Sequence, residues 1–69
     1  MIEVFKTDVD DWSRSRMLMG LIAARFSVCR INFDLEDCDR VLRVEGDTFC
    51  PRGIIELLQQ NGCHCEILS

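Results

Sequence analysis

Sixty-nine residues hold one domain, and a chain this short buries only about 60% of its unfolded surface, so such domains often gain stability by dimerising. Apolar residues make up 48% and charged residues 29%, a globular balance that argues against intrinsic disorder. Twelve acids against eight bases leave a net charge of −4, and with no Lys/Arg cluster a nucleic-acid partner is not expected.

The opening Met1-Ile2-Glu3-Val4-Phe5-Lys6 lacks the basic-then-apolar pattern of a signal peptide. No apolar run approaches the roughly 20 residues that a membrane helix needs. The chain is therefore expected to be cytoplasmic, with no membrane partner. Its five cysteines read as reduced thiols in that setting, most of them small core residues.

Residues 2–7 predict a strand, because Val4 and Phe5 favour β structure and Thr7-Asp8 begins the break. Asp10 or Asp11 then caps a helix with Arg14 and Arg16 on its wet face and Leu18, Leu21, Ile22 and Phe26 as its buried stripe. Gly20 either permits close approach to the sheet or is merely tolerated, and Trp12 reads as a packing residue.

Cys29-Arg30-Ile31-Asn32-Phe33-Asp34-Leu35 alternates apolar and polar at every step, the signature of a strand with one buried face. Glu36–Arg40 forms a polar turn of about 3–5 residues, and Val41–Glu45 returns as the partner strand. Gly46-Asp47 ends the hairpin. Pro51 suits the first turn of a second helix with Ile54, Leu57 and Leu58 buried, Asn61-Gly62 supplies its left-handed stop, and Cys63–Leu68 is a last strand.

Strand, helix, strand, strand, helix, strand, with right-handed crossovers, predicts an α+β fold. It is the ferredoxin-like βαββαβ sandwich, a four-stranded antiparallel sheet with both helices on one face. One end of that sheet then collects Asp8, Asp10, Asp11, Glu36, Asp37 and Asp39 near Cys38. Such a rim could hold a hard cation or a basic partner, or it could serve only to cap and solubilise. The other end collects Cys29 and Cys50. They are expected to be separate buried thiols, although a helix N-terminus beside Cys50 can lower a thiol pKa.

Cys63-His64-Cys65 groups three soft-metal ligand types. On a strand, however, residues i and i+2 share a face, so Cys63, Cys65 and Ile67 point to the helices while His64 and Glu66 lie on the open face. A single metal ion would need a bulge there and a further donor, with Cys38 or a rim carboxylate as the local source. No P-loop, dinucleotide fingerprint, HExxH pair or CxxC spacing is present.

The segment Ile54-Ile55-Glu56-Leu57-Leu58, followed by Asn61-Gly62-Cys63-His64-Cys65-Glu66-Ile67-Leu68, resembles the second helix, glycine turn and final strand of the heavy-metal-associated domain of copper chaperones and metal-pumping ATPases. Element order and size extend the likeness over nearly the whole chain. The resemblance implies the ferredoxin-like fold and soft-metal carriage through a CxxC pair after the first strand. Here that loop reads Thr7-Asp8-Val9-Asp10-Asp11-Trp12-Ser13-Arg14, which contains no thiol, so no metal-binding residue carries over.

These readings point to a small non-enzymatic module for protein interaction or self-association, with no cofactor. It would work through the open sheet face or an edge strand. Arg30, Asn32, Asp34, Arg43 and Glu45 are expected on that face, joined by Val4 or Phe5. The alternative is a soft-metal carrier or sensor for Cu or Zn using Cys63 and Cys65 with Cys38. A third possibility is a regulatory domain that binds a small ligand at a dimer interface.

Overall fold

The structure, a computed structural model, describes residues 1–68. The order is β1 (Ile2–Thr7), α1 (Trp12–Arg25), β2 (Arg30–Asp34), β3 (Val41–Glu45), α2 (Pro51–Gln60) and β4 (Cys65–Ile67). The four strands form one antiparallel sheet in the order β2-β3-β1-β4. This is the expected ferredoxin-like α+β fold.

Alternation decides which face is buried. Phe5 lies opposite Leu42, and Leu42 opposite Phe33. All three are buried beneath the helices, with Val44 beside them. Leu18 and Ile22 from α1 and Ile54, Leu57 and Leu58 from α2 close the core. Burying each such side chain contributes about 1.5–3 kcal/mol. Phe5 is the core residue of its pair, so it is Val4 that joins the open face.

Local signals account for the helix ends. The Asp11 carboxylate accepts the Ser13 N–H at 2.8 Å and caps α1. Pro51 opens α2, and Gly62 adopts φ 78° just after it, a conformation that glycine reaches without steric cost. Ser15 is an unexpected member of the α1 stripe; its buried hydroxyl donates to the Trp12 carbonyl at 2.8 Å.

Several expectations need correction. Trp12 is not a packing residue, being 54% exposed. Gly20 does not serve a close approach, because a Cβ there would meet no atom within 4 Å. Close approach is served instead by Gly46, where a Cβ would lie 2.5 Å from the Ser27 carbonyl oxygen, and by Gly53, where one would lie 2.9 Å from the Phe26 ring. The hairpin connection runs from residue 35 to 40, longer than expected, because Leu35 leaves the strand ladder yet stays buried. β4 is shorter than expected, spanning Cys65–Ile67, with one further backbone bond to β1 from Leu68.

Candidate functional site

The loops at the acidic end are tied together by backbone and side-chain bonds. The Thr7 hydroxyl donates to the Arg40 carbonyl at 2.6 Å and accepts from the Val9 N–H at 3.2 Å, joining β1 to the hairpin. The Asp8 carboxylate accepts the His64 N–H at 2.8 Å, joining the β1–α1 loop to the start of β4. The rim is therefore a real cluster of loops, as the topology predicts.

Its carboxylates are partly engaged in structure. Asp37 accepts the Asp39 N–H at 2.8 Å, and Asp39 sits 3.7 Å from the Lys6 ammonium. Among the described residues, the donors that gather within 4.8 Å of one another belong to Asp37, Cys38 and Asp39. That set is exposed or half-exposed, and a bound turn with a surface ion pair is a sufficient account of it. Cys38 does not form such a group with Cys63 and Cys65.

The two C-terminal thiols follow strand parity. Cys63 and Cys65 are buried, whereas His64 and Glu66 are exposed. Thr7 lies directly opposite Cys65 and shares its face. Burial, then Cys63 and the nearby carboxylates of Asp8 and Glu66, pushes the Cys65 thiol from 9.0 up to about 12. It is thus protonated at neutral pH, and the protonated form is a poor nucleophile and a poor metal ligand.

Sequence reading missed the partner of Cys63. Arg14 donates its Nε to the Cys63 sulfur at 3.2 Å and its Nη2 to the Asn61 carbonyl at 2.6 Å. The guanidinium bridges the start of α1 to the end of α2, instead of standing free on the wet face. No periodicity reveals a contact between residues so far apart in the chain.

The remaining thiols correct the expectation that most cysteines fill the core. Cys29, Cys38 and Cys50 are exposed, and all five are free. Cys29 has the right parity but falls before β2 begins, where the sheet edge leaves it uncovered. Phe49 occupies the core in place of Cys50.

The open face carries Arg30, Asn32 and Asp34 from β2, Val41, Arg43 and Glu45 from β3, and Ile2, Val4 and Lys6 from β1. Glu66 and Leu68 complete it, since the Leu68 N–H donates to the Val4 carbonyl at 2.9 Å. Ile2 is 55% and Leu68 37% exposed, with half-buried Val4 between them. Arg43 pairs with Glu45 at 3.1 Å, and His64 with Glu66 at 3.5 Å. Apolar side chains thus run across the sheet between charged ones. A shallow cleft of about 360 Å³ lies on the other side of β2, lined by Met19, Gly20, Ala23, Val28, Cys29, Arg30 and Ile31.

The arrangement defines a small α+β sandwich whose exposed sheet offers a mixed apolar and charged surface. Compared with known proteins, the chain matches no family model and no curated sequence. Among the described residues, no helix is long and apolar enough to cross a membrane.

Proposed function

We propose that this protein is a non-enzymatic interaction module that works through its sheet, using the open face and the exposed β2 edge to hold another protein or a second copy. The observation that carries this reading is the contiguous Ile2-Val4-Leu68 strip, exposed beside the Arg43–Glu45 ion pair. An apolar strip with a polar rim is the composition that protein contacts favour. The burial of Cys63 and Cys65, with Cys38 not gathered beside them, favours a packing role for those thiols over Cu or Zn carriage.

The test is affinity capture with the immobilised chain beside an Ile2→Glu/Leu68→Glu variant of equal melting temperature. A partner held by the wild type and released by the variant supports the proposal. Equal capture by both overturns the role of the open face, and no capture by either from a chain that is also monomeric in solution overturns the proposal whole. Titration of the reduced protein with zinc and Cu(I), counting protected thiols, addresses the carrier alternative. Stoichiometric binding that disappears in Cys63→Ser/Cys65→Ser would establish metal carriage instead.

A further inference from the structure

The free edge of β2 has a self-complementary pattern. Met1 and Gly46 exchange two backbone hydrogen bonds, Met1 N to Gly46 O at 2.8 Å and Gly46 N to Met1 O at 3.0 Å. This fixes the phase of the β1–β3 ladder, because hydrogen-bonded pairs alternate along antiparallel strands. Val44 and Leu42 therefore direct their backbone groups to β1, while Glu45, Arg43 and Val41 direct theirs to β2. On β2 the residues bonded to β3 are Arg30, Asn32 and Asp34. Ile31 and Phe33 are left to present their N–H and C=O groups outward, and among the described residues no loop or side chain takes them.

The side chains of this edge repeat the symmetry. Arg30 stands at one end of the strand and Asp34 at the other, both exposed on the open face with Asn32 midway. Place a second β2 antiparallel to the first, with the two-fold axis at Asn32. Each outward Ile31 then meets the partner's Phe33, and each such pair exchanges both of its backbone hydrogen bonds. In the same register Arg30 lies across from the partner's Asp34, on the same face, and the reverse pair completes the symmetry. Moving the axis by one residue, to Ile31 or Phe33, shifts the pairing by two and keeps the bonding phase, but it loses both Arg30–Asp34 pairs and sets Arg30 or Asp34 opposite Asn32. Charge and hydrogen-bond phase thus favour the register centred on Asn32.

The charges of this edge, Arg30 and Asp34, are of opposite sign, so they complement a second copy rather than repel it. The strand has no proline and no inward-pointing charge, since both charged ends lie on the open face. Beside it, α1 presents Gly20 and Ala23, small residues exposed along the cleft that borders β2, so a neighbouring subunit can approach.

We infer that the protein forms a two-fold dimer by antiparallel pairing of β2 with the partner's β2, centred on Asn32 and locked by reciprocal Arg30–Asp34 pairs. This rests on the reading of the sheet as an association surface and names its partner. The two sheets merge into one of eight strands, and the two open faces become a single continuous platform.

Sedimentation equilibrium on the full chain tests the inference. The wild type should dimerise. Arg30→Asp and Asp34→Arg, which each set like charges opposite one another, should weaken self-association by roughly tenfold or more. Mixing the two variants places opposite charges at both contacts and should yield a heterodimer. An Asn32→Cys variant, in a background of Cys29→Ser, Cys38→Ser and Cys50→Ser, should cross-link under mild oxidation, because facing residues at a non-hydrogen-bonded position lie about 4.5 Å apart. A wild type that stays monomeric at millimolar concentration overturns the inference, as does a dimer indifferent to either charge reversal. A dimer broken by Ile2→Glu/Leu68→Glu but not by Arg30→Asp would also refute the β2 pairing, while leaving the broader interaction reading intact.

Discussion

Replacing Thr7 with valine keeps the shape of the side chain and removes its hydroxyl. Thr7 is 4% exposed, and that hydroxyl serves the Arg40 carbonyl and the Val9 N–H at once. A neutral hydrogen bond contributes about 1 kcal/mol net, and a buried polar group left without a partner costs about 1–3 kcal/mol. Val9 is 1% exposed, so its N–H bears the larger cost; water can reach the half-exposed Arg40. The sum is about 2–3 kcal/mol for Thr7→Val. With a urea slope of about 1 kcal/mol/M for so small a domain, the unfolding midpoint should fall by about 2–3 M. Thr7→Ser keeps the hydroxyl and should lose no more than about 1 kcal/mol. A Thr7→Val midpoint indistinguishable from the wild type would refute the reasoning, because the hydroxyl would then contribute nothing to joining β1 and the hairpin.

Two glycines should respond in opposite directions. Gly20→Ala adds a methyl into open space within a helix and should stabilise by about 0.5–1 kcal/mol. Gly46→Ala drives a methyl against the backbone at Ser27 and Val28, which cannot rotate away, and should destabilise by about 1–3 kcal/mol. Thermal melts of the two variants should shift to opposite sides of the wild type; shifts of the same sign would contradict the packing described. Alkaline pH gives a further check on Cys65. Its folded pKa of about 12 lies above the ordinary 9.0, so its stabilising contribution is complete below pH 9 and is lost between 9 and 12, at up to about 1.4 kcal/mol per pH unit. Urea unfolding at neutral pH and at pH 10 should show a steeper loss for the wild type than for Cys65→Ala. Parallel losses would mean that the thiol ionises freely in the fold.

The sheet was legible because alternation carries its own parity. Cys29–Leu35 and Val41–Glu45 identify two strands, their buried faces and their hairpin, and the same period separates Cys63 and Cys65 from His64. Asp11, Pro51 and Gly62 mark helix ends by local chemistry, which needs no distant partner. What escaped depends on tertiary contact. Arg14 looks like any surface arginine until α2 brings Asn61 and Cys63 beside it. Thr7 looks like the fading end of a strand until the hairpin folds over it. Cys29 continues an apolar alternation, yet parity says nothing of whether a helix reaches far enough to cover the residue.

The place of β1 in the sheet bears on the order in which the protein can be made. It is the first of the four strands in chain order, yet it occupies the interior of the sheet between β3 and β4. Phe5 has Leu42 on one side and Ile67 on the other, and Ile67 belongs to the last of the four strands in chain order. Until then β1 has at most β3 beside it, and its other edge stands unpaired, exposed to chaperones or to aggregation. Closure of the sheet must therefore wait until β4 has emerged, and a ribosome stalled before β4 would hold a sheet that cannot close.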